Sequence, residues 1–410
     1  MQQAELIPHL FRTEYRKITS VLCKAFGMAY IETAEDIASE TFLLASETWG
    51  IKGLPENPVA WLYTVAKNKA KNALKREDLF NKKIAPEIKN SADIAEETEI
   101  DLSAQNITDS QLQMMFAVCH PSIAQEAQVG LALRILCGFS ISEIAYAFLT
   151  NKEVINKRLY RAKEKLRTEN VQVEFPTNSE INKRLEAVMT TLYLLFNEGY
   201  YSAHDDAIIR RDLCAEAMRL THLLLENPST NLPPVNALFA LMSFQASRFE
   251  ARSGKNGEVI LYEDQDENLW DQEVISQGKH YLDIAFRDST ITRYHLEAGI
   301  ACCHTQKTDT VEKWEHILQL YNRLLVTEYS PIAALNRTYA LSKARGKAEA
   351  ITEAEKLQLN DNRFYHSLLG ELYRDIDNQK AIAHFEAAVG LTQSEADKAV
   401  LMKKISGLRE

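Results

Sequence analysis

Five cations, Lys67, Lys69, Lys71, Lys75 and Arg76, follow Trp61 and Tyr63 in the stretch AWLYTVAKNKAKNALKR (residues 60–76). Residues four apart share a helix face, so Lys67, Lys71 and Lys75 form one stripe, with Asn68 and Asn72 in a second stripe beside it. Like charges at that spacing cost an isolated helix roughly a few tenths of a kcal/mol per pair unless a polyanion neutralises them. Aromatic rings on which bases stack, followed by cations and amides that track a phosphate backbone, suit single-stranded nucleic acid. A solvated lysine-rich face would carry the same residues, so on this helix alone both readings stay open.

The second basic segment is SISEIAYAFLTNKEVINKRLYRAKEKLR (residues 140–167). Ser140 or Ser142 can cap a short helix whose Ile144, Ala145 and Phe148 face inward. LTN then predicts a tight turn before a longer helix from about Lys152. In that helix Ile155, Leu159, Ala162 and Leu166 fall at helical offsets that pack against the first helix. The other faces carry Lys152, Lys157, Arg158, Arg161, Lys163, Lys165 and Arg167, with Asn156 and Tyr160 among them. This is the pattern of a helix-turn-helix whose second helix enters a major groove, and its one-sided charge favours DNA over a bland helical hairpin.

Two other clusters imitate metal chemistry without meeting its requirements. DQDEN (residues 264–268) starts like a calcium loop, but Leu269 stands where the turn needs Gly, and Ile275 where a bidentate Glu would close the site. Cys302, Cys303 and His304 are adjacent, so on a helix they point about 100° apart, and no second ligand pair lies at zinc spacing. No nucleophile elbow, phosphate-binding glycine loop or HExxH occurs, so neither an enzymatic activity nor a cofactor is expected. The six cysteines lack CxxC spacing and lie in apolar helical patterns, which predicts reduced core thiols of a cytoplasmic protein.

The elements that must position the two basic segments are helices. Val59, Leu62, Ala66, Ala70 and Ala73 recur every three or four residues, giving the first segment a core-facing stripe. The same period continues through nearly all 410 residues, and only EVILY (residues 258–262) has the composition of a strand. The fold class is therefore all-α. Breaks are expected at GIKGLPENP (50–58), at the acid-rich residues 85–106 and at VEFPTNSE (173–180). The chain carries a net charge of −10, but residues 1–80 hold ten basic and ten acidic side chains and residues 171–410 hold 26 and 35. The acidity is thus local and does not veto a nucleic-acid site in the N-terminal part. The N-terminus lacks a signal-peptide pattern, and no apolar run is long enough to cross a membrane.

Three stretches, AEDIASETFLLASETW (34–49), PVAWLYTVAKNKAKN (58–72) and residues 140–167, stand in the order and spacing of one family. Across about residues 5–170 the chain resembles the extracytoplasmic-function sigma factors, compact bacterial initiation factors of the sigma-70 class. The resemblance implies region 2 over residues 1–80, an acidic linker over 81–106, and a helix-turn-helix region 4 over 107–172. It places Asp36, Ser39, Glu40, Thr41, Phe42 and Leu43 against the β′ coiled coil of core RNA polymerase, and it adds the β flap as a further polymerase contact. A loop from Trp49 to Asn57, with Lys52 and Asn57 as polar contacts, would capture a flipped base of the minus-ten element. Lys67, Asn68, Lys71, Asn72, Lys75 and Arg76 would follow the separated strand. Trp61 would take part in minus-ten binding, or Trp61 and Tyr63 would be core aromatics. Asn156, Lys157, Tyr160 and Arg161 would read the minus-thirty-five element of promoter DNA. The linker would run through the polymerase active-site and RNA-exit channel.

Residues 177–410 lie beyond this minimal factor. LLGELYRDIDNQKAIAHFEAA approximates a tetratricopeptide repeat at Leu369, Gly370, Tyr373, Ala381, Phe385 and Ala388, one residue short between Tyr373 and Ala381, and residues 330–357 match more weakly. The extension resembles that of one sigma subgroup, where such a segment regulates the factor, which implies a regulatory partner or ligand. A helix-turn-helix repressor or activator with a partner-binding repeat domain is the alternative, but it leaves residues 34–76 without a role.

Overall fold

The protein is described from a computed structural model covering residues 3–84, 100–148, 150–177, 179–200, 210–252, 260, 262–287, 290–306, 308–392 and 395–409. These residues contain helices and turns and no strand, so the chain is all-α. They divide into two compact units, residues 1–194 and 195–410.

In the first unit α1 (Gln3–Phe26), α2 (Ile31–Lys52) and α3 (Pro58–Ile84) are followed by α4 (Ala104–Val118) and α5 (Gln125–Leu131). A π-helical turn (Ala132–Leu136), α6 (Ile141–Ala147), α7 (Lys152–Thr168) and the first part of α8 (Ile181–Tyr200) complete it. The expected stripe of α3 is observed, with Leu62, Ala66 and Ala70 fully buried and Val59 and Ala73 half-buried at its ends. Asn57 starts this helix, its Oδ1 accepting from the Ala60 N–H at 3.0 Å, with Pro58 behind it where no N–H is needed. Ser140 rather than Ser142 caps α6, in a reciprocal pair with Glu143. Asn151 caps α7 by accepting from Val154 N–H at 2.9 Å. Ile155, Leu159, Ala162 and Leu166 are buried as the helix-turn-helix pattern requires.

Four expectations change. α2 runs through the predicted break at residue 50 as far as Lys52, so the turn before α3 is only residues 53–57. Its helix end is closed by Gly53 at φ +81°, a conformation that side chains disfavour. The linker begins later and ends earlier than 81–106, because α3 reaches Ile84 and α4 starts at Ala104; residues 85–99 lie outside the described residues. The segments read as region 2 and region 4 on either side of a linker share one core, because α1 packs against both α2 and α4 and against the π turn. The boundary expected at 172–177 falls at 194–195, because Val171, Val173 and Pro176 are buried and α8 is tied to the first unit. Arg184 donates to the Phe116 carbonyl at 2.8 Å and Thr191 to Gln128 at 2.9 Å.

The second unit continues with α9 (Arg211–Glu226), α10 (Pro233–Ala246), the short α11 (Phe249–Arg252), α12 (Gln272–Ala285) and α13 (Arg293–Cys303). α10 is apolar nearly all round and is buried by α9, α12 and α13, as such a helix must be. Then α14 (Val311–Thr327), α15 (Pro331–Arg345), α16 (Lys347–Glu355), α17 (Arg363–Tyr373), α18 (Asn378–Leu391) and α19 (Glu395–Arg409) each pack on the next along one apolar cluster. The six positions read as repeat-like, Leu369, Gly370, Tyr373, Ala381, Phe385 and Ala388, are all buried where α17 crosses α18. Of EVILY, Tyr262 opens a 3-10 turn instead of ending a strand, and residues 258, 259 and 261 lie outside the described residues. None of the six cysteines is in a disulfide, and burial pushes the thiols of Cys119 and Cys214 up to about 12.

Candidate nucleic-acid interface

On α3, Asn68, Lys71, Asn72 and Lys75 are exposed and Lys67 is half-buried. Arg76 continues the helix, but its side chain lies outside the described residues. Lys69, between the asparagine stripe and the buried face, is bound to Glu40 at 2.6 Å. The two aromatic residues differ from the stacking platform that their composition suggested. Tyr63 donates to Glu14 at 2.6 Å, and burial together with that carboxylate raises its phenol well above the ordinary value. Trp61 is half-buried, with its ring edge-to-face against Trp49 at 5.3 Å between centroids. Trp49 is a core residue of α2, 1% exposed, and so cannot begin a base-capturing loop. Lys52 is exposed at the end of α2, and Asn57 is exposed with its carbonyl oxygen committed to the cap.

The expected polymerase-contact residues divide by helix face. Asp36, Ser39, Glu40 and Leu43 are exposed on α2, Leu43 at 60%. Thr41 and Phe42 are buried and cannot meet a partner in this arrangement. Thr41 donates to the Ile37 carbonyl at 2.7 Å, and Phe42 stacks edge-on against Phe11 at 5.1 Å. Partial burial, then the neighbouring Glu35 and Glu40 charges, raise the carboxyl of Asp36 above its usual range.

On α7, Asn156, Lys157, Tyr160 and Arg161 are all exposed. Asn156 and Tyr160 also line a cavity of about 280 Å³ together with Glu32, Arg134, Ile141, Leu159 and Lys163. The far wall is α2, and here sequence reasoning missed the central group. Glu35 is buried and accepts from Arg134 Nε at 2.7 Å and from Lys163 Nζ. Arg134 stands on the π turn and also donates to the Phe139 carbonyl at 3.1 Å and to Tyr15 at 3.2 Å. Burial first, and then the Glu35 charge, push the Tyr15 phenol well up. One turn away on α2, Glu32 accepts from Arg167 at 2.6 Å. These partners stand 99 to 135 residues apart in the chain, and no local spacing could have announced them.

Known proteins resemble the chain in separate parts and along most of its length. Residues 10–79, spanning α1 to most of α3, match the family described as Sigma-70 region 2. Residues 184–286 match a family of unknown function (DUF6596). An uncharacterized protein of Rhizobium meliloti (strain 1021) is 32% identical over 387 residues, which is 92% of this chain and 90% of that protein. No solved structure matches the chain.

Proposed function

Because residues 10–79 match Sigma-70 region 2, and the chain belongs to one family with the Rhizobium protein along most of its length, we propose that it is an RNA polymerase sigma factor of the extracytoplasmic-function type. It would direct core polymerase to promoters in the cytoplasm; the polymerase is the catalyst, and this chain supplies promoter choice and melting. The observation that carries the reading is that two exposed cationic helix faces, Lys67 to Lys75 on α3 and Lys157 with Arg161 on α7, stand on one unit that contains the region 2 match.

In this reading Asp36, Ser39, Glu40 and Leu43 meet the β′ coiled coil, acids and an apolar side chain being suited to a basic, partly apolar helix. Residues 107–172, whose helix-turn-helix is α6 and α7, form region 4 and contact the β flap. Lys67, Asn68, Lys71, Asn72, Lys75 and Arg76 hold the separated minus-ten strand, with Lys52 and Asn57 at the upstream turn and the half-buried Trp61 beside them. Asn156, Lys157, Tyr160 and Arg161 read the minus-thirty-five bases, amides pairing with adenine and cations with guanine. The second unit, built of stacked helices of which α17 and α18 are tetratricopeptide-like, offers the extended surface of a partner-binding array and regulates the factor.

The test is run-off transcription with purified core polymerase, with and without this chain. Promoter-dependent transcripts only in its presence are expected. Duplex binding with no transcripts in any combination would instead support a helix-turn-helix regulator acting without the polymerase. No described helix is long and apolar enough to cross a membrane.

A further inference from the structure

Around the ring of Tyr262 the second unit gathers polar groups that its own fold leaves unsatisfied. Arg248, between α10 and α11, lies with its guanidinium carbon 5.8 Å from the ring centroid. Trp270, just ahead of α12, stacks on the ring at 6.4 Å, and His304, at the end of α13, meets it edge-on at 4.9 Å. Lys313 of α14 donates from Nζ to the Tyr262 hydroxyl at 2.9 Å. Arg248 is 9% exposed and Trp270 4%. Yet Nε of Arg248, Nε1 of Trp270 and Nδ1 of His304 are buried without a hydrogen-bond partner among the described residues. A buried donor without an acceptor costs stability, and a buried charge without a counter-charge costs more. Lys313 meets Asp309 at 3.6 Å, whereas Arg248 makes no ion pair among the described residues. Burial first, then the charges of Arg248 and Lys313, push His304 down to about 3, so it stays neutral and can offer an N–H.

We propose that Arg248, Trp270 and His304 form a binding site for a small monocarboxylate with an apolar body. The guanidinium takes the carboxylate, which it can meet with two parallel N–H groups, and the indole N–H and His304 Nδ1–H complete its contacts. The rings of Tyr262 and Trp270 suit the apolar body. Tyr262 and His304 are only half-buried, so the cluster reaches the surface. The adjoining turn carries Glu263, Asp264, Asp266 and Glu267, whose charges repel a multiply charged anion and so favour a carboxylate over a phosphate. The five side chains around the ring come from five separate elements, so only the folded unit assembles them. The site is argued from the second unit alone and goes beyond the sigma-factor reading, so either can fail without the other.

The experiment titrates the full chain calorimetrically with sodium benzoate, in a carboxylate-free buffer at fixed ionic strength, with acetate and inorganic phosphate as comparison anions. A single benzoate site is expected, with a dissociation constant of about 1 mM or below. Acetate, which lacks the body, and phosphate, which lacks it and carries more charge, should each bind about tenfold more weakly or worse. Benzoate at about ten times its dissociation constant should raise the melting point by about 3–5 °C. Arg248→Met should abolish binding, and because it removes a buried unpaired charge the anion-free variant should melt no lower than the parent. Trp270→Phe keeps a ring and removes the N–H, and should weaken benzoate about fivefold. Arg323→Met, the same charge change at an exposed position of α14, should leave binding unchanged. No benzoate binding by the parent, or parent-like binding by Arg248→Met, would overturn the site. Phosphate binding tighter than benzoate would overturn the assignment to a carboxylate. A drop of several degrees for anion-free Arg248→Met would show the guanidinium already satisfied within the fold, and would overturn the site as well.

Discussion

Arg161 and Lys163 lie two residues apart on α7, and the structure gives them opposite roles that a paired substitution should separate. Arg161 is exposed and makes no ion pair among the described residues, so Arg161→Ala should change stability by no more than about 0.5 kcal/mol. If its guanidinium meets a base edge, the loss in promoter binding should be about 1–3 kcal/mol, or roughly 5- to 150-fold. Lys163 sits against Glu35, a carboxylate taken out of water and shared with Arg134 at 2.7 Å. Removing one partner of a buried pair costs about 3–5 kcal/mol when the charge left behind has nothing else. Glu35 keeps Arg134, so Lys163→Ala should cost about 2–3 kcal/mol, below that range. For a unit of 194 residues this corresponds to a melting point lower by roughly 5–10 °C. Thermal melts by circular dichroism, with run-off transcription at equal protein concentration, measure both quantities. A several-degree drop for Arg161→Ala, or full transcription with it, would refute the division of roles on this helix.

Three further outcomes are expected. Changing Lys67, Asn68 and Lys71 together to Ala should impair open-complex formation more than closed-complex binding, since α3 is proposed to meet separated strand; permanganate reactivity of promoter thymines would show it, and equal reactivity would count against the role. Gly370→Ala would place a methyl group 2.5–2.8 Å from three atoms of the fully buried Phe385 ring, an overlap worth about 1–3 kcal/mol that outweighs the roughly 1 kcal/mol of added helix propensity, so the chain should melt lower and recover in part when Phe385→Leu is added. A chain ending after Tyr200, at the close of α8, should drive less transcription in cells than the full-length protein at equal abundance. One ending at Gln172 should also melt lower, because it loses the Arg184 and Thr191 hydrogen bonds that hold the start of α8 within the first unit.

What was legible in the sequence was what short-range geometry dictates. The 3.6-residue period of Leu62, Ala66 and Ala70, a serine cap at Ser140 or Ser142, which Ser140 supplies, and the buried set Ile155, Leu159, Ala162 and Leu166 each follow from residues within one or two turns, and each is present. The exposure of Asn156, Lys157, Tyr160 and Arg161 followed for the same reason, being the complement of that buried set. Tertiary structure decided which candidates were already engaged. Thr41 and Phe42 carry types that could have met a partner, but the turn of α2 that exposes Ser39, Glu40 and Leu43 directs them at α1 and its own backbone. Tyr63 read as a stacking ring or a core aromatic and Trp49 as the start of a loop, until the contact with Glu14 and the core decided them. The pairing of Glu35 with Arg134 and Lys163 was wholly non-local: a carboxylate can be buried only where cations from elsewhere in the chain converge on it, and their arrival depends on α1, the π turn and α7 packing together, which no window of sequence contains.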